Sequence, residues 1–399
     1  MAESVLWQHF VLACPAKRFK HAPQDANRRP PYGGGGSPWG MDLNGATWMV
    51  RSLDQSVSLV RLTPEGEVFA GGWDGLLACW DSEGNSRWTA QTNDRISALA
   101  FSDTLVVAAS GLHVVAIDRA TGEVQWSVAL EGSADDVRWW QDDIIAVSSV
   151  YDIEHNDFLE SAVWRISDTG EQRWVERMDE RPWVVLEHDG HLLAGLGRPR
   201  CGYLDISQPP PFSHVRPQTS SPTTCGSVGG VGAVFGQTDG TVVTYDGKVC
   251  STESGSIEHL TCMVKGYVAT TDEGHAVGRN DDGSLCWESH GGPVSAQTEA
   301  MEHGGASLLW LARHEGQASL LHVWATNQGG QLAQGQFPRI RSIDGTDERV
   351  VIGCEDGTVA VWERSMLMRR LEQGTVSTGQ PEDERTSALQ AKLRALRQS

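Results

Sequence analysis

The sequence predicts an all-β fold, a β-propeller of eight blades with four antiparallel strands in each blade. Three observations predict it. A Gly-x-x-x-Trp spacing recurs along the chain, Asp-Gly turns precede it by about ten residues, and the repeat length averages about 40 residues. The 44 glycines and 16 tryptophans of the 399-residue chain fit a turn-rich fold in which one aromatic position recurs.

The Gly-x-x-x-Trp spacing marks a turn between two strands. Each glycine ends a short polar turn that begins with Asp, after an apolar run. Asp caps such a turn, and Gly adopts positive φ without a steric penalty. The four copies are Gly84 with Trp88, Gly122 with Trp126, Gly170 with Trp174, and Gly283 with Trp287.

A second turn lies upstream of this spacing, between two apolar runs. An acidic residue followed by Gly between β-rich runs is a strong hairpin signal. Its clearest copies are Asp74-Gly75, Asp239-Gly240 and Asp356-Gly357. A preceding apolar run, such as residues 96–101 or 182–186, completes a four-stranded blade.

Continuing the interval along the chain gives the number of blades. Some of the later positions have lost the aromatic residue, so seven blades is the alternative to eight. The eight equivalent positions are Trp88, Trp126, Trp174, Phe212, Ser251, Trp287, Gln334 and Arg370.

Residues 116–126 read Ala-Ile-Asp-Arg-Ala-Thr-Gly-Glu-Val-Gln-Trp and resemble the A-x-D-x-x-T-G-x-x-x-W repeat of quinoprotein-type (PQQ-like) propellers. Residues 72–81 and 353–362 resemble WD-repeat blades equally well, and the resemblance covers residues 45–371. It implies that the repeated Trp and Gly dock one blade against the next. Quinone-dependent dehydrogenases with this repeat typically carry an adjacent Cys-Cys pair, which this sequence lacks, so the resemblance implies a noncatalytic member without a cofactor.

The two ends of the chain lie outside the repeats. Residues 1–44 are predicted to be a partly flexible extension whose residues 5–11 supply a strand that closes the ring, since only three strands are clear in the last blade. Residues 45–371 form the propeller. Residues 372–399 form a tail with a short amphipathic helix, on which Leu389, Leu393 and Leu396 share a face available to a partner.

Charge limits the partners. The net charge is −20, so a nucleic-acid backbone meets mostly repulsion, and no apolar run approaches the length that spans a membrane. The candidate cationic contacts lie in the N-terminal extension. They could reach an acidic partner or RNA, but we favour the interpretation that they lie against the acidic propeller. These residues are Lys17, Arg18, Lys20, Arg28 and Arg29.

No catalytic, cofactor or metal site is predicted. The eight cysteines are scattered without a CxxC pair, and Cys79, Cys286 and Cys354 fall in apolar runs as small buried hydrophobes. His188 and His191 flank a hairpin turn rather than a metal site. Residues 151–160 form a hairpin longer and more acidic than its equivalents, interpreted as a solvated loop, although such loops often carry function.

These features predict a cytoplasmic, noncatalytic propeller scaffold that binds protein partners. No Lys or Arg precedes the apolar residues 5–12, which argues against a secretion signal. Two alternatives remain open. One is a noncatalytic, quinoprotein-like envelope assembly protein, and the other is an enzyme that binds a quinone or another small molecule in the central channel.

Overall fold

The structure, a computed structural model, describes residues 40–154, 157–216, 221–327 and 329–376. Their strands form eight sheets of four antiparallel strands, and one sheet gains a fifth, parallel strand. The predicted all-β propeller is confirmed, with eight blades rather than seven. We number the blades 1 to 8 along the chain and letter the strands of each blade A to D from the centre outward.

Two short strands precede the first complete blade, and a 3-10 helix, Leu43–Ala46, separates them. They are β1 (Met41–Asp42) and β2 (Met49–Ser52).

Blades 1 to 4 are then built from consecutive strands. Blade 1 contains β3 (Val57–Leu62), β4 (Val68–Gly72), β5 (Leu76–Trp80) and β6 (Ser86–Gln91). Blade 2 contains β7 (Ile96–Phe101), β8 (Leu105–Ser110), β9 (His113–Asp118) and β10 (Val124–Ala129). Blade 3 contains β11 (Ser133–Trp140), β12 (Asp143–Asp152), β13 (Asp157–Ser167) and β14 (Gln172–Met178). Blade 4 contains β15 (Pro182–His188), β16 (His191–Leu196), β17 (Tyr203–Asp205) and β18 (Ser213–Val215).

Blades 5 to 7 follow the same pattern, and blade 8 has only three strands of its own. Blade 5 contains β19 (Thr223–Gly229), β20 (Gly232–Gln237), β21 (Thr241–Thr244) and β22 (Val249–Thr252). Blade 6 contains β23 (Ile257–Cys262), β24 (Tyr267–Thr271), β25 (His275–Arg279) and β26 (Leu285–His290). Blade 7 contains β27 (Val294–His303), β28 (Ala306–Glu315), β29 (Ala318–Ala325) and β30 (Gly330–Pro338). Blade 8 contains β31 (Ile340–Gly345), β32 (Arg349–Cys354) and β33 (Thr358–Glu363), and the helix α1 (Arg364–Val376) follows.

The A strands surround the centre of the ring. Each A strand contacts the A strand of the next blade, and β31 of blade 8 contacts β3 of blade 1, which closes the ring. Because successive strands are antiparallel, the A–B and C–D loops leave one face of the ring, and the B–C loops and blade-to-blade connections leave the other. We call these the AB/CD face and the DA/BC face.

The burial of each strand follows its position in the blade. The B strand β8 (Leu-Val-Val-Ala-Ala-Ser) is buried at every position after its first, because blades cover both of its sides. The D strand β6 alternates, burying Trp88 and Ala90 and exposing Thr89 between them and Gln91 after them. Apolar runs therefore form the inner strands, and alternating sequences form the rim.

The missing strand of blade 8 comes from the N-terminal side of the propeller. Strand β2 pairs antiparallel with β33, so that Val50 faces Ala360. The prediction that an N-terminal segment closes the ring named residues 5–11, which lie outside the described residues. Among the described residues, β2 occupies one edge of β33 and β32 occupies the other.

A seam of apolar residues joins the two ends of the described part of the chain to blades 7 and 8. Strand β1 pairs in parallel with β30, and Leu43 of the following 3-10 helix packs with Trp310, Trp362 and Leu367 in one buried cluster. The Trp362 indole Nε1 donates to the Leu43 carbonyl at 3.0 Å.

Helix α1 was not predicted from the sequence. Arg370, the expected eighth repeat position, lies on this helix instead of on a D strand, because β2 fills that position. Buried Leu367 and Leu371 hold the helix against the seam. No helix among the described residues is long and apolar enough to cross a membrane.

The seven cysteines of the described residues are free thiols. Cys79 and Cys354 are buried as predicted, and burial raises the pKa of each thiol to about 12. The same prediction is wrong for Cys286, which is exposed. Cys286 lies on the D strand β26, where alternate side chains face solvent and the neighbouring Trp287 takes the buried side.

Candidate interaction site

The repeated tryptophans and glycines meet across blade boundaries at the AB/CD face. Gly122 has a φ of +79°, and a Cβ at this residue would lie 2.8 Å from the Trp88 ring of the preceding blade. The Trp88 Nε1 donates to the Arg119 carbonyl at 2.9 Å. Gly170 meets Trp126 in the same way, and Trp126 Nε1 donates to the Asp168 carbonyl at 2.7 Å.

The other members of the pattern have different neighbours. Gly84 lies against Met49 and Trp48, the residues that enter β2, so the borrowed strand provides the docking tryptophan for blade 1. Trp287 docks on Gly329 and donates to the Thr326 carbonyl at 2.8 Å.

Gly283 and Trp174 depart from the pattern. Gly283 lies against the backbone carbonyl of Cys250, because blade 5 has no tryptophan at the equivalent position. Trp174 packs edge-on against Phe212, with 5.7 Å between the ring centroids. The two positions therefore keep a close contact between blades without the Trp-on-Gly arrangement.

The Asp-Gly turns lie at the opposite, DA/BC face. Gly75, Gly240 and Gly357 all have φ between +81° and +91°, and each lies close to backbone carbonyls of the adjoining blade connection. The Asp239 and Asp356 carboxylates each accept a 3.0 Å hydrogen bond from the backbone N–H two residues later. The Asp74 N–H donates to Gln55 Oε1 at 2.6 Å. These turns brace the blade connections.

The interaction residues predicted at the chain ends lie outside the described residues. They are Lys17, Arg18, Lys20, Arg28, Arg29, Leu389, Leu393 and Leu396. Their roles stay predictions, and the described residues supply a different candidate.

A cleft of about 460 Å³ opens at the AB/CD face between blades 1 and 2. Its two arginines are already paired, because Glu67 binds both Arg87 and Arg119, and Glu65 also binds Arg119 at 2.9 Å. Four acidic residues against two arginines line the cleft. This network links two blades and leaves no unpaired cation in the cleft lining for an anionic ligand.

A β-bulge recurs in every A strand at the DA/BC face. In each of the eight blades, the register between A and B shifts near the start of the A strand, at its third residue in blade 3 and at its second residue in the other blades, which leaves one residue without a partner. A bulge redirects the side chain of its extra residue. The eight bulged residues are Ser58, Ser97, Asp135, Trp183, Thr224, Glu258, Ser295 and Arg341.

Hydroxyl residues at the bulge connect neighbouring blades. The Ser58 Oγ donates to the Gly71 carbonyl of its own blade and, at 2.7 Å, to the Ile96 carbonyl of the next. Ser97 makes the same bridge to the Ala134 carbonyl at 2.6 Å. Thr224 repeats it with the Ile257 carbonyl. At these positions the bulged residue is structural.

Four blades depart from this hydroxyl pattern. Asp135, Trp183, Glu258 and Arg341 replace the small hydroxyl in blades 3, 4, 6 and 8. Where a repeat fold gives up a bridge between blades, the replacing side chain is a candidate for function. Asp135 and Trp183 stand out because their blades are adjacent and one arginine contacts both side chains.

Blades 3 and 4 build an aromatic–arginine cluster, which we define as Tyr151, Phe158, Arg181 and Trp183. The Arg181 guanidinium lies 3.9 Å from the Phe158 ring centroid and 4.2 Å from that of Trp183. Phe158 packs edge-on against both Tyr151, at 5.1 Å, and Trp183, at 5.8 Å. Aromatic pairs and a guanidinium over a ring are favourable at these distances.

Two local features of the chain position this cluster. The hairpin of β12 and β13 is the segment predicted as a solvated loop, and the prediction is corrected, because Tyr151 pairs with Phe158 as part of the strands. Gly197 makes room for the indole of Trp183, since a Cβ at Gly197 would lie 2.7 Å from the Trp183 Nε1.

An ion pair with Asp135 fixes the Arg181 guanidinium that contacts the aromatic rings. Its Nη2 lies 3.1 Å from Asp135 Oδ1, and its Nε donates to Oδ2 at 3.3 Å. Burial raises the pKa of Asp135, while Arg181 and the Ser149 hydroxyl oppose that rise. Among the described residues, the Arg181 Nη1 is buried without a hydrogen-bond partner. The pair orients the guanidinium under the aromatic rings.

The upper surface of the cluster is open to solvent. Trp183 is 44% exposed and Tyr151 is 38% exposed. Ile153, at the tip of the hairpin, is 68% exposed, and Leu112 of the preceding blade is also exposed. Large apolar side chains that face water together mark a binding surface more often than single ones do.

This arrangement is suited to noncovalent recognition. Trp, Tyr and Arg are the residues in which interface binding energy concentrates, and here a buried ion pair holds them rigid. The sequence analysis did not identify Asp135, Arg181 or Trp183. The available signal was the alignment of the eight A strands, in which Trp183 stands where Ser58, Ser97 and Thr224 stand in other blades.

Comparison of the sequence with protein families and with curated proteins gives no match. Solved structures do match. BamB from Moraxella catarrhalis superposes with a TM-score of 0.62 at 16% identity, over 79% of this chain and 99% of that chain. Saccharomyces cerevisiae Sqt1 gives a TM-score of 0.64 at 12% identity, over 80% and 98%.

The WD40 β-propeller domain of Doa1 is also similar, with a TM-score of 0.50 at 12% identity, over 80% of this chain and 98% of that domain. With identities this low, the superpositions establish the propeller fold alone. The similar structures include both BamB, a PQQ-like propeller, and the WD40 propeller of Doa1.

Proposed function

We propose that this protein is a noncatalytic propeller scaffold that binds a protein partner through the aromatic–arginine cluster at the DA/BC face of blades 3 and 4. The observation that carries the proposal is Trp183. Four other blades have a small hydroxyl residue at the same bulge, whereas here an indole stands 44% exposed.

The chemistry of the cluster supports a protein partner. The exposed rings of Tyr151 and Trp183 are amphipathic, and apolar Ile153, at the tip of the same hairpin as Tyr151, is also exposed. The acidic character of the whole chain, with a net charge of −20, disfavours a nucleic-acid backbone at this face. Structural similarity to WD40 propellers supports the scaffold role at the level of fold.

The experiment is an affinity purification of the full chain from its native source, with quantitative mass spectrometry. The binding variants are Trp183→Ala and Ile153→Ser. The matched control is Val264→Ser, since Val264 is 70% exposed, is also apolar, and lies in an A–B loop on the opposite face. Circular dichroism melting first establishes that the three variants are folded.

We expect a stoichiometric partner to be retained by wild-type protein and by Val264→Ser, and lost with Trp183→Ala. Truncation of an interface tryptophan costs about 2 kcal/mol or more, which is roughly a 30-fold loss of affinity. A partner bound equally by all four proteins would place the interface elsewhere, and recovery of the wild-type chain alone would contradict the scaffold role.

A further inference from the structure

A second group of reactive side chains lies at the rim of blade 6, away from the cluster. His275 begins the C strand and His290 ends the D strand, and the two residues are direct partners across the β25–β26 pair. Glu288 precedes His290 by two residues, so its side chain leaves the same side of the sheet. The hairpin therefore places three metal-binding side chains on one surface.

The three side chains are close to each other. The imidazole rings of His275 and His290 are parallel within 8°, with 4.1 Å between their centroids. The His275 Nε2 lies 3.3 Å from a Glu288 carboxylate oxygen. One donor atom from each residue lies within 4.8 Å of the others, and no other group of three such side chains reaches this spacing in the described part of the chain.

A buried arginine of blade 7 holds the backbone of this group. Arg313 is 5% exposed, and its Nη1 donates to the Gly274 carbonyl at 2.6 Å and to the Gly292 carbonyl at 2.8 Å. Its Nη2 lies 3.4 Å from the Ser289 carbonyl. These carbonyls belong to residues beside His275 and His290, so the ends of both strands are fixed to the neighbouring blade.

We propose that His275, Glu288 and His290 bind a divalent transition-metal ion of the zinc class. Two imidazole nitrogens and one carboxylate oxygen are ligands that such ions accept, at about 2.0–2.2 Å from the metal. The donors of one site must then lie within about 4 Å of each other. Rotation of the exposed Glu288 and His290 side chains closes the small remaining distance, and the ion enters from solvent.

Three protein ligands leave one position of a tetrahedral ion open. Water fills that position in the isolated protein. The site lies beside the connection between blades 6 and 7, at the DA/BC face. Because Arg313 already holds the backbone there, ion binding costs only the conformational entropy of the three side chains.

Isothermal titration of the full chain with Zn²⁺ tests the proposal. The ligand variants are His275→Ala, Glu288→Gln and His290→Ala. The control is His191→Ala, because His191 also pairs across a hairpin with a histidine, His188, and contacts Asp205, at 2.7 Å. Thermal melting with and without Zn²⁺ gives a second readout, since an ion that binds only the folded state raises the melting temperature.

We expect wild-type protein and His191→Ala to bind Zn²⁺ alike. Each ligand variant should bind about tenfold more weakly or worse at this site, and its zinc-dependent rise in melting temperature should shrink. Zinc held elsewhere in the chain would be retained equally by all variants. Unchanged titrations for the three ligand variants, or no binding to wild-type protein, would overturn the proposal.

Discussion

At the junction of blades 1 and 2, a residue without a side chain makes room for an indole. Gly122 has a φ of +79°, which L-residues rarely adopt, and it touches the Trp88 ring. The glycine thus satisfies two demands at once, a left-handed turn and a close approach between blades.

The substitution Gly122→Ala should destabilise the protein by about 2–5 kcal/mol. Backbone strain contributes about 1–2 kcal/mol, and overpacking of the new Cβ, 2.8 Å from the Trp88 ring, contributes about 1–3 kcal/mol. Gly190→Ala is the control, since Gly190 has a φ of +75° and no atom lies within 4 Å of the place that its new methyl group would take. Urea unfolding measures both variants, and equal losses would contradict the packing role of Gly122.

A partly buried histidine couples stability to pH. His259, on the A strand of blade 6, lies 3.2 Å from the Val294 carbonyl of blade 7 through its Nε2. Burial lowers its pKa below the ordinary value, against the opposing effect of that hydrogen bond. The unfolded chain therefore binds the proton more readily than the folded protein below about pH 6.5, and stability falls as the pH falls.

The substitution His259→Gln should reduce this dependence. Between pH 7.5 and 5.5, wild-type protein should lose more free energy of unfolding than the variant does, by at most about 1.4 kcal/mol per pH unit. Burial raises the pKa of Asp135, Glu258 and Asp344, which act in the opposite direction but equally in both proteins. Urea unfolding across this pH range measures the difference, and parallel pH profiles would disprove the assignment.

Among the elements, strand β2 closes the ring and helix α1 packs against the apolar seam. Strand β2 completes blade 8, and α1 covers the apolar cluster formed by the 3-10 helix and Trp362. Residues from both ends of the described chain therefore contribute to one core.

The substitution Leu367→Ala should cost about 2–5 kcal/mol, because Leu367 is fully buried in this seam. Arg370→Ala, on the exposed side of the same helix, should stay within about 0.5 kcal/mol of wild type. Chemical denaturation compares the two variants. A small effect of Leu367→Ala would mean that the ring is stable without the helix.

The sequence predicted most elements but not the closing strand. Apolar runs and Asp-Gly turns locate strands such as β7 and β32 because those signals are local. The four residues of β2 do not form such an apolar run, since three of them are exposed. Their pairing with β33 bridges about 300 residues of sequence, which local β-propensity does not encode.

For the whole molecule, repetition made the fold predictable and the candidate site difficult to predict. Four copies of the Gly-x-x-x-Trp spacing, together with the recurring Asp-Gly turns, are enough to predict a propeller. The bulged position, by contrast, is visible only when A and B strands are paired, so Trp183 looked like an ordinary residue of an apolar run. His275 and His290 likewise become neighbours only through the register of their hairpin.

Contacts between blades occur at both faces of the ring, but the two faces differ in the side chains that they expose. Tryptophan–glycine contacts and ion pairs bind the blades together at the AB/CD face, as with Trp88 and Glu67. The DA/BC face carries the exposed aromatic side chains of the cluster, including Trp183. Changes at the second face therefore leave most of the contacts between blades at the first face intact.

The eight bulges give this architecture an evolutionary consequence. A bulged residue forms no rung of the sheet, so replacing it preserves the register of every blade. Where the bulged residue is exposed, as at Trp183 and Glu258, its side chain can be replaced without rebuilding the core, whereas Asp135 is held by its ion pair with Arg181. New binding specificities can thus arise in one blade while the core of the propeller stays the same.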